Sequence, residues 1–173
     1  TLFLDQAADL DGLPASVVSA AAAAAATSGQ PGKWAILNTR SSVEPVLSFS
    51  TRRELREKVW RTFVSRGDHG DARDNKQIIT EVFQLRAERA KLLGYATHAH
   101  WRVENAMAKT PERAMELLEA VWPAAVGRVK EEVADMQAIA DREGAKFTIE
   151  PWDYRYYAEK VRQAKYDLNE NEV

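Results

Sequence analysis

Apolar and polar positions alternate along most of the chain with a helical period. Pro14 followed by SVVSAAAAAAAT predicts a helix to about Thr27, since proline suits a first turn and alanine is the best helix former. Ser28-Gly29-Gln30-Pro31-Gly32 then breaks it. Between Lys33 and Ser50 the short apolar runs WAILN and VLSFS, separated by Ser41, Ser42 and Pro45, predict a hairpin. Leu55, Val59, Trp60 and Phe63 follow a Thr51-x-x-Glu54 capping box and predict a helix ending near Gly67. Asp74 is expected to cap a helix through Leu93, with Ile78, Val82, Leu85 and Leu92 facing inward and Gly94 as a left-handed stop.

A shorter helix is predicted from Thr97 to about Met107. Thr110-Pro111 then opens a long one that runs to Glu143 and closes at Gly144. Pro123 lies inside it and predicts a kink around Glu119 to Trp122, because a proline costs about 3 kcal/mol in a regular helix. Another helix is expected from Asp153 to Lys165, and a further one from Leu168. The expected fold is therefore mainly α: an irregular bundle of six or seven helices with one short strand pair near 33–50. Its 173 residues suit a single domain.

Composition narrows the function classes. Hydrophobic residues make up 45% and charged ones 29%, which suits a globular chain. The formal charge of -2 comes from 24 basic and 26 acidic side chains mixed along the sequence, which argues against a nucleic-acid partner. Without cysteine there are no disulfides, no thiolate zinc ligands and no cysteine nucleophile, and a reducing, cytoplasmic setting is expected. The start, TLFLDQAADLDG, lacks a signal-peptide pattern, and the Ala20–Ala26 run is too weakly apolar for a membrane span. The missing initiator Met and the ending DLNENEV read as cuts, so an excised part of a larger protein is expected.

Metal chemistry finds little support. His98 and His100 are two apart, about 200° around a helix, and so face opposite ways. His100 and Glu104 share a face, but two ligands without a third are no zinc site, and H-E-x-x-H is absent. His69 sits among Asp68, Asp71 and Asp74 in a loop whose spacing does not match a calcium loop. Glycine motifs for phosphate or dinucleotide binding are also absent. The richest segment is PWDYRYYAEKVRQAKYDL, where Trp152, Asp153, Tyr154, Arg155, Tyr156 and Tyr157 set four aromatics and an ion pair side by side. Such rings and a planar guanidinium suit a peptide-binding wall. On composition alone the simpler reading is a core helix whose tyrosines find partners.

The same segment carries a family likeness. TRSSVEPVLSFS (39–50), LREKVWRTFVSRGD (55–68), DNKQIITEVFQLRAERAKLLGYATHAHW (74–101), MAKTPE (107–112) and WDYRYYAEKVRQAKYDLNENEV (152–173) follow one another in order. In them the chain resembles the thimet oligopeptidase family of zinc metallopeptidases, and within it the bacterial peptidyl-dipeptidase and oligopeptidase A members. The likeness covers nearly the whole chain, and MAKTP and WDxRYY are its most specific parts. It implies a two-lobed helical peptidase that cuts short peptides with a zinc held on an H-E-x-x-H helix. The chain ends before such a motif, so no catalytic residue and no metal ligand carries over, and no bound cofactor is expected here. Trp152, Asp153, Arg155, Tyr156 and Tyr157 are expected to line or brace the peptide channel. The missing C-terminal part of the polypeptide is an expected partner, and apolar surface left bare is expected to allow self-association. The competing reading is a free-standing helical interaction module.

Overall fold

A computed structural model describes residues 1–166. Its contacts divide the chain, expected to be one domain, into two compact units: Thr1–Ser65 with Glu131–Val173, and Arg66–Lys130.

In the first unit two three-residue strands, β1 (Leu2–Leu4) and β2 (Trp34–Ile36), pair antiparallel, with Phe3 opposite Ala35. A 3-10 turn over Ala7–Leu10 follows β1. Helix α1 (Ala15–Thr27) then buries Ala21 and Ala25 while packing on β2. Alanine allows that close approach, which a larger side chain would block. Helix α2 (Arg40–Phe49) buries Val43, Val46 and Leu47, and helix α3 (Arg53–Val64) contributes Val59. With Leu4, Ala21 and Ile36 these form one apolar cluster. A second cluster gathers Met136 and Ala140, from the end of helix α6 (Pro111–Arg142), onto Tyr157 of helix α7 (Tyr154–Tyr166). Gly12 adopts φ +81°, and a Cβ there would stand 2.3 Å from the Phe49 carbonyl oxygen, so only glycine fits the turn.

The second unit holds helices α4 (Lys76–Leu92) and α5 (His98–Val103) and the first part of α6. Gly94 ends α4 at φ +81°, as its position after the apolar run predicts. Thr97 caps α5, its hydroxyl oxygen accepting from the His100 amide at 3.3 Å. The Thr110 hydroxyl accepts from the Arg113 amide in the same way, and α6 continues through Pro123.

Three expectations need correction. VLSFS is helix and not strand: Val43, Val46, Leu47 and Ser50 are spaced for one helical face, and that face is buried. The strand that pairs with Trp34–Ile36 is Leu2–Leu4. Thr51 does not cap α3. Its hydroxyl bonds Asp11, and the helix begins one residue beyond Arg52 with no side-chain cap. Finally, Ile78, Val82, Leu85 and Leu92 do not face inward in this chain. They are exposed, Leu92 to 87%, and Ala90 alone is buried on α4. The helix expected from Leu168 lies outside the described residues.

Candidate functional site

The segment Trp152–Tyr157 closes over α3, and Asp153 is its centre. The Asp153 side chain is 0% exposed, so its charge needs full compensation. Arg53 supplies a fork: Nε donates to both carboxylate oxygens at 3.1 Å, and Nη2 to Oδ2 at 2.8 Å. Arg56, itself 2% exposed, donates Nη2 to Oδ1 at 2.9 Å and Nη1 to the Ser50 carbonyl at 2.7 Å. Its Nε donates to the Trp152 carbonyl at 3.3 Å. The Glu150 amide donates to Oδ2 at 3.2 Å, completing the carboxylate's shell.

Aromatic faces hold both guanidinium groups in place. Arg53 lies 4.1 Å from the Phe147 ring centroid and Arg56 lies 4.2 Å from that of Tyr156. Trp152 packs edge-on to Trp60 at 5.7 Å, and Tyr156 edge-on to Tyr157 at 5.2 Å. The hydrogen bonds to Asp153 raise the Arg53 pKa above its ordinary value. Burial raises the Tyr157 phenol likewise. Burial of Lys160 favours its neutral amine, but hydrogen bonds to Glu143 and Tyr156 outweigh that and raise its pKa.

Sequence reasoning placed Trp152, Asp153, Arg155, Tyr156 and Tyr157 on one constellation, and the structure separates them. Trp152, Asp153 and Tyr157 are buried within the chain itself. Tyr156 is half-buried between Arg56 and Lys160. Arg155 points away and bonds Glu44 at 2.7 Å. Two surface recesses share Tyr154 and Arg155, one also lined by Trp60 and Val133, the other by Ser48 and Arg162. The sequence reading missed Arg53 and Arg56. A signal for them existed: Arg56 interrupts the apolar stripe Leu55, Val59, Trp60 and Phe63, and a cation on a buried face needs an anion.

The histidines do not form a metal centre. His98 stacks on Trp101 at 5.5 Å, and burial followed by nearby arginines lowers its pKa. His100 Nδ1 is 2.8 Å from the Thr97 hydroxyl, while Glu104 accepts from the Tyr95 hydroxyl at 2.6 Å. Among the described residues, no group of three or more His, Asp or Glu side chains is placed to hold a metal ion. The described residues therefore do not fit a zinc site. No helix among the described residues is long and apolar enough to cross a membrane.

Residues 46–173 match the model of peptidase family M3. The chain is 36% identical over 172 residues to the dipeptidyl carboxypeptidase of Escherichia coli (strain K12), covering 99% of this chain and 25% of that protein. It is 36% identical to a probable cytosolic oligopeptidase A of Arabidopsis thaliana, covering 95% of this chain and 24% of that protein. To the oligopeptidase A of Haemophilus influenzae (strain ATCC 51907 / DSM 11121 / KW20 / Rd) it is 29% identical, covering 98% of this chain and 25% of that protein. The chain thus spans about a quarter of the length of the curated relatives it matches.

Proposed function

Because the chain belongs to peptidase family M3, we propose that it is a scaffold segment of a zinc-dependent peptidase that hydrolyses short peptides. The peptidase is of the peptidyl-dipeptidase or oligopeptidase type named in its relatives. In this reading the zinc and its general base belong to the polypeptide beyond these residues, and the chain alone is inactive. The observation that carries the role is the Asp153 junction. A fully buried carboxylate binds two arginines about a hundred positions upstream and so fixes α7 against α3. Trp152, Asp153 and Tyr157 brace the peptide channel from behind. Arg155 and Tyr156, which keep solvent exposure, are the members of the segment able to meet a peptide. The absence of cysteine supports a cytoplasmic setting.

Cleavage of a fluorogenic peptide by this chain and by the full-length polypeptide, each with and without a zinc chelator, tests the reading. Chelator-sensitive cleavage by the full-length polypeptide alone is expected. Cleavage by the purified chain would overturn the scaffold role, and no cleavage by either would overturn the peptidase reading. Tyr156→Phe in the full-length enzyme should raise KM if the hydroxyl touches substrate. Lost stability with unchanged kinetics would leave Tyr156 as bracing only.

A further inference from the structure

Helix α4 with its C-cap Leu93 carries a stripe, Ile79, Val82, Arg86, Arg89 and Leu93, whose spacings of three and four residues place them along one face. Ile79, Val82 and Leu93 on that stripe are exposed, and Phe83 beside it is 63% exposed. Two arginines therefore sit in the middle of an apolar face. From α5 comes a third, Arg102. Arg89 lies 4.4 Å from the Trp101 ring centroid and Arg102 lies 5.4 Å from it, while Arg86 leans on Phe83 at 6.0 Å. Arg89 Nη2 comes within 3.5 Å of His98 Nδ1, and all three arginines act on that imidazole together, so they form one cluster. None of the three has a carboxylate partner among the described residues, whereas Arg40, Arg52, Arg61, Lys76 and Lys165 each have one. The aromatic rings hold the guanidinium groups by their faces, and no carboxylate among the described residues takes up the N–H donors that would receive one.

The first unit contains the completed form of the same device. There an arginine pair three residues apart on an apolar helix face, Arg53 and Arg56, is neutralised by Asp153 from a distant segment. We propose that Arg86, Arg89 and Arg102 form the receiving half of an equivalent junction, and that its occupant is an Asp or Glu carried by an apolar segment of the same polypeptide outside these residues. Charge complementarity sets the carboxylate, and the surrounding Ile79, Val82, Phe83 and Leu93 set the apolar character of its carrier. The quarter-length span of the chain against its relatives leaves ample polypeptide to provide it. The inference rests on the reading of the chain as part of a longer peptidase.

The test uses the full-length polypeptide bearing Arg89→Lys, treated with a water-soluble carbodiimide. The reagent activates a carboxylate, and the introduced amine displaces it to leave an amide bond, with the carbodiimide leaving as its urea. Peptide mapping should place the cross-link on an Asp or Glu outside residues 1–173. Alongside it, Arg89→Gln should lower the thermal unfolding midpoint and Arg89→Lys should recover part of that loss. Recovery separates charge from stacking, because lysine keeps the charge without the planar face. Should Arg89→Gln fail to fold, Arg86→Gln with Arg86→Lys repeats both arms at the less packed position. A cross-link to an acid within residues 1–173 would overturn the proposal. So would no cross-link with an unchanged or raised midpoint, since removing one of three unpaired like charges relieves repulsion. A third overturning result is a KM raised about tenfold for a free-acid peptide but not for its C-terminal amide, which would make the occupant a substrate terminus. None of the protein arms needs catalysis, so failure here is distinct from failure of the peptidase reading.

Discussion

In the first unit Arg56 lies in the apolar stripe of α3 and meets a buried carboxylate; in the second, Arg86 and Arg89 lie in the apolar stripe of α4 and meet aromatic faces and the His98 imidazole, with no carboxylate among the described residues. Apolar side chains divide the same way. Leu4, Ile36, Val43, Val46, Leu47, Val59 and Met136 are buried in the first unit, while Ile78, Phe83, Leu92, Met107, Leu117 and Trp122 are exposed in the second, Met107 to 98%. Both α3 and α4 carry arginine within apolar positions, but α3 is sharply one-sided whereas the apolar residues of α4 spread over a wider arc. They differ also in whether a covering segment lies within the chain. For α3 it does, in α2 and the Trp152–Tyr157 segment. For α4 it lies beyond the described residues if the proposed junction holds.

The largest test of this contrast is Asp153→Asn. It leaves Arg56, 2% exposed, without its counter-charge, and breaking a buried pair in this way costs about 3–5 kcal/mol. Urea unfolding should show a correspondingly lower midpoint. A change below about 1 kcal/mol, the range of exposed pairs, would mean that the junction does not fasten α7. Next in size is a pair of truncations. Met136→Ala, at 3% exposure, should cost about 2–5 kcal/mol, whereas Leu117→Ala, at 68%, should stay within about 0.5 kcal/mol in this chain. In the full-length polypeptide the Leu117 cost should rise towards the Met136 value if that face is covered. A cost that stays small there would break the comparison. Smaller again is Thr97→Ala, which removes the α5 cap accepted from the His100 amide and should cost about 1 kcal/mol by thermal unfolding.

Much of this was legible in the sequence where local chemistry decides. Pro14, Gly94, the Thr110-Pro111 pair and Gly144 bound their helices as written, because capping and left-handed turns depend on a few adjacent residues. The family likeness was equally legible, since the chain does belong to peptidase family M3. Where partners are distant, the reading failed. VLSFS alternates well enough for a strand, but Val43, Val46 and Leu47 gain more by burial as a helical face. β1 is three residues long, too short for any period to show. Thr51 had the right spacing for a cap but finds Asp11, forty residues away. Asp153 was singled out for its neighbours' aromaticity, while its partners Arg53 and Arg56 lay unremarked on α3. The stripe on α4 was seen, but a hydrophobic period states which face is apolar and not what covers it.

The smallest effect expected concerns alkaline pH, where the two units again differ in cause. Burial holds the Tyr157 phenol above its ordinary pKa of 10.0, while the Tyr95 phenol is raised first by its hydrogen bond to Glu104. A raised folded-state pKa means stability that is complete below about pH 10 and lost as pH climbs through the folded value, because the unfolded chain ionises first. Unfolding midpoints should thus be level from neutral pH to the ordinary phenol range and fall above it. Tyr157→Phe should flatten that fall. For Tyr95, Glu104→Gln should recover most of what Tyr95→Phe recovers, since one carboxylate is the leading cause and burial the second. No single carboxylate should do so for Tyr157: Glu143→Gln, which removes the leading charge that raises it, is expected to recover the smaller part of what Tyr157→Phe recovers. Equal recovery by both would show that charge and not burial raises Tyr157, and the enclosure ascribed to the first unit would lose that support.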